Sequence, residues 1–284
     1  MGHILTETDV AQFREELYRM ERSKATIEKY SRDLKAFYAW LPNGKLVDKE
    51  MMIRYKAFLC KKYAPTSVNS MLAALRAFFD YMKWQDCEVR LLKIQRRVFS
   101  RKERELSKTD YEHLVEAAEN RSDRRLSLLL QIMASTGIRV SEVQYITVEA
   151  AMNGKAEISL KGKIRVILLP GKLCRKLLKY AKKEHIASGQ IMLTRSGRPM
   201  NRKEIWAQMK KLCKTAGVDR QKVFPHNLRR LFARTFYRVR RDIIQLADLL
   251  GHSSVNTTRI YLLTSGEEHL KHIESLGLIY LNGT

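Results

Sequence analysis

The stretch Ala156-Glu157-Ile158-Ser159-Leu160-Lys161-Gly162-Lys163-Ile164-Arg165-Val166-Ile167-Leu168-Leu169 decides the fold class of this chain. Its two ends, Ala156–Leu160 and Arg165–Leu169, are short β-like runs, and Lys161-Gly162-Lys163 between them reads as a hairpin turn. On either side the apolar spacing is that of helices. Upstream, Ser107 with Asp110 forms a capping box and opens helices near residues 110–120 and 123–136. Downstream, helices are expected near residues 171–185, 202–216, 227–237, 242–250 and 256–262. The expectation is a mainly α protein whose larger second part is mostly helical and carries one small antiparallel β-sheet.

The first 85 residues or so read as a small helical bundle. Thr6 caps a first helix with Asp9 completing the box, and Phe13, Leu17 and Met20 recur on one face. Ser23 opens a second helix with Ile27, Tyr30, Leu34, Phe37 and Tyr38 on one side, ended by Pro42-Asn43-Gly44. A third runs from about Asp48 to Lys62, and Pro65-Thr66 starts a fourth with Leu72, Leu75, Phe78, Phe79 and Met82 inward. Residues 90–104 then change character, with seven basic residues and one acid, Glu103. Such a run is commonly solvated, and between two basic domains it also suits a linker that follows a phosphate backbone. The expected organisation is a helical DNA-binding domain at 1–89, a basic linker at 90–105 and a larger domain at 106–284. Arg96, Arg97, Arg101 and Lys102 are the linker's candidate DNA contacts.

Charge narrows the class of partner. The 54 Lys and Arg residues against 30 Asp and Glu leave a formal net charge of +24. Solvated faces ordinarily balance their signs, so this excess points to a polyanion, nucleic acid first. Both parts share it: residues 1–105 carry +8 and residues 106–284 carry +16. No apolar run reaches the roughly 18 residues needed to cross a bilayer. No charged-then-apolar leader opens the chain, and the expected location is cytoplasmic, nucleoid-associated if bacterial. Cys60, Cys87, Cys174 and Cys213 are scattered without C-x-x-C spacing and read as thiols in a reducing compartment. No metal constellation is visible in the sequence.

Four stretches carry candidate chemistry. In Thr136-Gly137-Ile138-Arg139-Val140-Ser141-Glu142-Val143, Gly137 breaks a helix and sets Arg139 at the break, where a side chain can face a ligand. The turn lysines of Lys161-Gly162-Lys163 can enter a groove or protonate a leaving oxygen; a solvated turn is the plainer alternative. In Pro225-His226-Asn227-Leu228-Arg229-Arg230, His226 and Arg229 lie three apart and share a helix face. His exchanges a proton near neutral pH, and Arg offers a planar fork for two phosphate oxygens. In Leu249-Leu250-Gly251-His252-Ser253-Ser254, His252 follows a helix-ending glycine, and Tyr261 lies nine residues later.

Taken in order, TGIRVSEV, LKGK, HNLR, LGHS and TTRIY resemble the motif series of the tyrosine recombinases, the phage-integrase-like family. The resemblance covers essentially the whole chain and implies a SAM-like N-terminal domain followed by a catalytic domain. It places Arg139, Lys161, His226, Arg229, His252 and Tyr261 at catalytic positions, with Glu142 as the accessory acid. Two departures stand out. Arg230 replaces the His that often follows the second Arg, and the hairpin is tighter than the family's G-K-G-x-K-x-R form, so Lys163 is held beside Lys161 as an alternative.

The resemblance further implies a 3′-phosphotyrosyl intermediate, a double-stranded DNA substrate and a tetramer on two DNA sites, with no cofactor. Those residue types suit the chemistry. Tyr, with a free pKa of about 10, needs an electropositive site to shed its proton. Arg139 and Arg229 can neutralise charge on a phosphate in the part that Mg²⁺ takes elsewhere. Lys161 is the expected acid for the 5′ oxygen, His226 a proton shuttle and His252 a donor to the phosphate. A tail helix bearing Leu270, Ile273, Leu276 and Ile279 is expected to dock on a neighbouring protomer or on its own domain. Charge and helices alone would fit a non-catalytic DNA-binding regulator equally, and related chemistry would fit a type IB topoisomerase. The four ordered basic partners of Tyr261 favour the recombinase.

Overall fold

A computed structural model describes residues 2–94, 105–160, 163–194, 196–263, 270 and 273–276. The side chains of Ser159, Leu160, Lys163 and Ile164 lie outside that description. The chain divides into two compact units, Met1–Arg96 and Arg97–Thr284.

The first unit holds four helices: α1 Glu7–Arg19, α2 Lys24–Trp40, α3 Lys49–Lys62 and α4 Pro65–Met82. Each begins where local chemistry satisfies the free N–H groups of its first turn. Thr6 and Asp9 form a reciprocal capping box on α1, Ser23 accepts from Thr26 N on α2, and Asp48 accepts from Met51 N on α3. Pro65, which has no N–H to leave unsatisfied, occupies the first turn of α4. Their inward faces merge into one core around Phe13, Leu34, Phe37, Tyr55, Phe78 and Phe79. Met20, expected inside with Phe13 and Leu17, is 54% exposed because α1 ends at Arg19 and Met20 already turns away as its cap. A feature absent from the sequence reading is a two-stranded antiparallel sheet, β1 His3–Ile4 with β2 Leu46–Val47. His3 stacks on Trp84 at 4.6 Å and hydrogen-bonds Asp86, which anchors β1 to the end of the bundle.

The second unit begins with α5 Lys108–Asn120 and α6 Arg124–Thr136, followed by a 3₁₀ helix, Val140–Tyr145, and α7 Val148–Asn153. The hairpin β3 Lys155–Leu160 and β4 Lys163–Leu168 is antiparallel, with Leu160 opposite Lys163. Helices α8 Gly171–Lys183, α9 Arg202–Leu212, α10 Pro225–Arg240, α11 Ile243–Leu250 and α12 Val255–Arg259 complete it. The architecture is mainly helical with small antiparallel sheets, as the periodicity implied. Helix α6 is the hub: Leu126, Leu128, Leu129, Leu130, Ile132 and Met133 are all buried, and α5, α8 and α10 pack around it. Several helix bounds differ from the sequence reading, and α9, expected to residue 216, stops at Leu212. Helix α10 starts at Pro225, ahead of His226 and Arg229, and α12 stops at Arg259, so Tyr261 sits in the turn beyond it.

Candidate active site

Three helix ends build the site. Helix α6 stops at Gly137, whose left-handed φ of +63° reverses the chain and presents Arg139 at the mouth of the 3₁₀ helix. Gly137 also lies against Phe232 of α10, where an added Cβ would stand 2.4 Å from Cδ1 of the ring. Helix α11 stops at Gly251, with φ +61°, and this turn delivers His252. The first turn of α10 delivers His226 and Arg229.

Arg229 is the keystone and is 2% exposed. It donates to Gly137 O at 2.5 Å and to Leu250 O at 2.6 Å, so one guanidinium ties the ends of α6 and α11 together. Its second Nη group lies 2.9 Å from His252 Nε2. Arginine only donates, so Nε2 accepts and the ring proton sits on Nδ1, which donates to Thr258 Oγ1 at 2.8 Å. Thr258 is fully buried. Burial, then Arg229, Arg139 and Arg165, push the His252 pKa down to about 4, so the ring is neutral at pH 7. His252 was expected to donate to a phosphate; in the free protein both its ring nitrogens are engaged in orienting Arg229 and Thr258. Arg229 itself is depressed to about 10, by desolvation first and by Arg139 next.

Glu142 is 2% exposed and serves two cations. Arg139 donates to it from its backbone N at 2.7 Å and from its side chain at 2.9 Å. Arg165 of β4 donates from one Nη to both carboxylate oxygens, at 3.0 and 3.1 Å, and from the other to Leu249 O at 2.7 Å. Arg165 thereby joins the hairpin to the His252 turn. The stem of Arg165 runs against Gly251, where a Cβ would meet its Cδ at 2.4 Å. Sequence reasoning did not single out Arg165. The signal was present, as the last Arg of the hairpin pattern already compared with this segment.

Arg139, His226, Arg229 and Tyr261 line one cavity of 760 Å³. Arg139 also donates to Gly251 O at 3.2 Å and keeps a side chain 42% exposed, free to meet a ligand. Tyr261 is 7% exposed, its ring edge-on to His226 at 5.1 Å and tilted on His252 at 5.4 Å. The Arg229 guanidinium lies 6.0 Å from the same ring. Although His226 is exposed, the protein atoms crowding its ring, then Arg230, Arg229 and Arg202, hold its pKa below the ordinary value. The cavity extends along α9, where Arg202, Lys203, Trp206 and Lys210 also line it. These four were not anticipated, because nothing in the spacing of α9 points to a site some 20 residues further on.

The other expected residues lie elsewhere. Arg230 turns to Glu105 at 3.3 Å, and Arg234 pairs with the same carboxylate. Lys163 is placed by its backbone alone, in β4. Lys161 and the linker residues Arg96, Arg97, Arg101 and Lys102 lie outside the described residues. Of the tail, Leu270, Ile273 and Leu276 are 55–62% exposed, and Ile279 is outside the description. Among the described residues one group of possible metal ligands occurs, in the first unit: His3, Asp86 and Cys87, with ligating atoms within 4.8 Å of one another. Burial pushes the Cys87 thiol up to about 11, which disfavours the thiolate a metal would need. A histidine, two guanidiniums and a tyrosine around one cavity are a set that can receive an oxyanion beside a hydroxyl group.

Residues 10–86 match the phage integrase N-terminal SAM-like domain, and residues 104–267 match the phage integrase family. The chain is 26% identical to the tyrosine recombinase XerD of Vibrio cholerae, over 94% of each protein. Its fold is similar to that of XerH site-specific recombinase bound to difH substrate in a pre-cleavage complex, with TM-score 0.67, 20% identity and coverage of 95% of this chain and 84% of that one. It is also similar to a lambda integrase tetramer bound to a Holliday junction, with TM-score 0.71, 18% identity and coverage of 89% and 76%. At those identities the two structures speak for the fold alone. With its family match spanning residues 104–267, more than half of its length, the chain belongs to the phage integrase family of tyrosine recombinases.

Proposed function

We propose that this protein is a site-specific DNA recombinase that cuts and rejoins duplex strands through a 3′-phosphotyrosyl intermediate on Tyr261. The observation that carries the reading is the convergence of Tyr261, His226, Arg139 and Arg229 on one cavity, with His252 fixing Arg229 from behind. The Tyr261 oxygen attacks the scissile phosphorus, and its proton passes to the neutral His226 ring. Arg139 and Arg229 hold the non-bridging oxygens while negative charge builds. The bond from phosphorus to the 5′ oxygen breaks, and that oxygen takes a proton, with Lys161 as the proposed donor and Lys163 as the alternative. A 5′ hydroxyl of a partner strand then attacks the phosphotyrosine and releases Tyr261. One phosphodiester is exchanged for another, so no high-energy cofactor is consumed.

The partner is double-stranded DNA, and the working assembly is a tetramer on two sites; the similarity in fold to a lambda integrase tetramer bound to a Holliday junction supports this reading. The first unit and the basic linker at 90–105, with Arg96, Arg97, Arg101 and Lys102, contribute phosphate contacts. The outcome for the cell is integration, excision or resolution, according to where the two sites lie.

The test is a nicked suicide duplex from the native locus, mixed with wild type and with Tyr261→Phe. A denaturation-resistant protein–DNA adduct from wild type alone supports the reading. Binding of the correct site without an adduct from either form would turn the assignment to a DNA-binding regulator.

A further inference from the structure

Helix α8 is written against its own electrostatics. Its 13 residues carry Lys172, Arg175, Lys176, Lys179, Lys182 and Lys183, and no acid. All six are exposed, while Leu173, Cys174, Leu177 and Ala181 are buried on the opposite side. Lys172–Lys176, Arg175–Lys179 and Lys179–Lys183 are like charges one turn apart, and each such pair destabilises a helix. Lys172 also sits in the first turn, where the positive end of the helix dipole repels it. Helices α5 and α9 of the same unit also open on cations, Lys108 and Arg202-Lys203, but offset them with Asp110 and Glu204 in the same turn, which α8 does not. Among the described residues none of the six cations of α8 forms an ion pair; Lys176 donates to the neutral Gln131 at 2.8 Å.

Four of these cations, Lys176, Lys179, Lys182 and Lys183, border a groove of 870 Å³ between α8 and α6. Arg124 and Tyr180 also line it, and Glu119 is the one acid among its described lining residues. The groove has no lining residue in common with the cavity that holds Tyr261.

We propose that the basic face of α8 is a second surface for double-stranded DNA, separate from the Tyr261 cavity. From Lys172 to Lys183 the ridge runs about 16 Å at 1.5 Å per residue. A duplex presents roughly ten phosphates over that length, at one per 1.7 Å of axis. A linear row of lysines and arginines matches that repeating charge. The reading assumes a chain that works on DNA, and DNA outside the recombining core is the source of the phosphates.

The experiment uses the full chain and a variant with Lys172, Lys176, Lys179 and Lys183 all replaced by Gln, a good helix former. The probe is a 40-base-pair duplex lacking any core site. Each lost phosphate contact is expected to reduce the slope of log affinity against log salt by about 0.9, so the variant should lose up to about 3.6. Acetylation footprinting of wild type with the same duplex should show these lysines protected. Adduct formation on a short nicked core substrate should stay within about twofold of wild type. An unchanged slope with unprotected lysines overturns the proposal. Protection by polyglutamate or by anionic vesicles, with none by the duplex, overturns it as well and assigns the face to another polyanion. A wild type that forms no adduct at all would sink the recombinase reading instead, and the footprint would still judge this surface.

Discussion

At the scale of single residues, the site is a set of cations whose charges are kept close by one buried acid and by backbone carbonyls. Arg139 and Arg165 share Glu142, whereas Arg229 meets no carboxylate among the described residues and is held by carbonyls, a neutral histidine and the Tyr261 side chain. That arrangement leaves positive charge for an incoming phosphate. Removing Glu142 would leave Arg165 a largely buried cation, 13% exposed in its side chain, without its counter-ion. Glu142→Ala is expected to lower stability by about 3 kcal/mol, the usual cost of breaking one side of a buried pair. Urea unfolding would measure it, and a loss below about 1 kcal/mol would mean that Arg165 finds another partner.

His252 makes a prediction of the opposite pH sense to a salt-bridged histidine. Its folded pKa of about 4 lies below the unfolded value of 6.5. Between those values the unfolded chain binds a proton that the folded chain refuses. The contribution is therefore fully present above pH 6.5 and is lost as pH falls toward 4. The melting temperature of wild type should drop more between pH 7.5 and 5 than that of His252→Asn. Equal drops would show that His252 titrates normally in the fold.

At the scale of elements, the site depends on two helix ends at which glycine is required twice over. Gly137 and Gly251 hold left-handed φ angles of +63° and +61°, and each also lies where a Cβ would strike a neighbour at 2.4 Å. Gly154 has the same kind of φ, +69°, with nothing within 4 Å. Gly154→Ala is thus expected to lose only the left-handed strain, about 1 kcal/mol. Gly251→Ala adds a clash with the stem of Arg165, so it should lose more stability and also slow adduct formation. Stability and adduct yield measured on both variants check this, and equal losses would place the whole effect in backbone strain. The helix starts were legible in advance because a cap is a local matter: Thr6 with Asp9, and Ser107 with Asp110, satisfy N–H groups three residues away. The hairpin was legible for a similar reason, its period of two standing out among periods of 3.6. The β1–β2 pairing was not, since it joins residues some 40 apart through two-residue strands too short to show a period.

At the scale of the whole molecule, each unit has a large core of its own, and the second unit adds a smaller cluster of Ala233, Leu246, Leu250 and Tyr261. The first large core is built on Phe13, Phe37, Tyr55 and Phe78, the second on Leu129, Leu130, Ile132, Leu177 and Leu228. A core of its own is what lets a domain fold alone. Fragments 1–96 and 97–284 are therefore each expected to unfold cooperatively when expressed apart, and circular dichroism against urea would show it. A fragment without a cooperative transition would mean that the unit borrows stability from its neighbour. Both fragments carry an excess of positive charge, so each alone should bind DNA with a shallower salt slope than the intact chain.

What the sequence by itself determined is what rests on neighbours within a few residues. That includes the helix caps, the hairpin, the charge of +24 and the ordered motifs that name Arg139, Glu142, His226, Arg229, His252 and Tyr261. Only the tertiary structure decided how those residues are used. It set Arg165 on Glu142 across 23 positions, and Arg229 on Gly137 across 92. It turned Arg230 to Glu105 across 125 positions and brought α9 to the wall of the cavity. It also lowered His252 to about 4, by burial first and then through Arg229, Arg139, Arg165 and His226, drawn from three separate segments. A hydrogen bond or a desolvated charge answers to distance in space, and a sequence displays distance only along the chain.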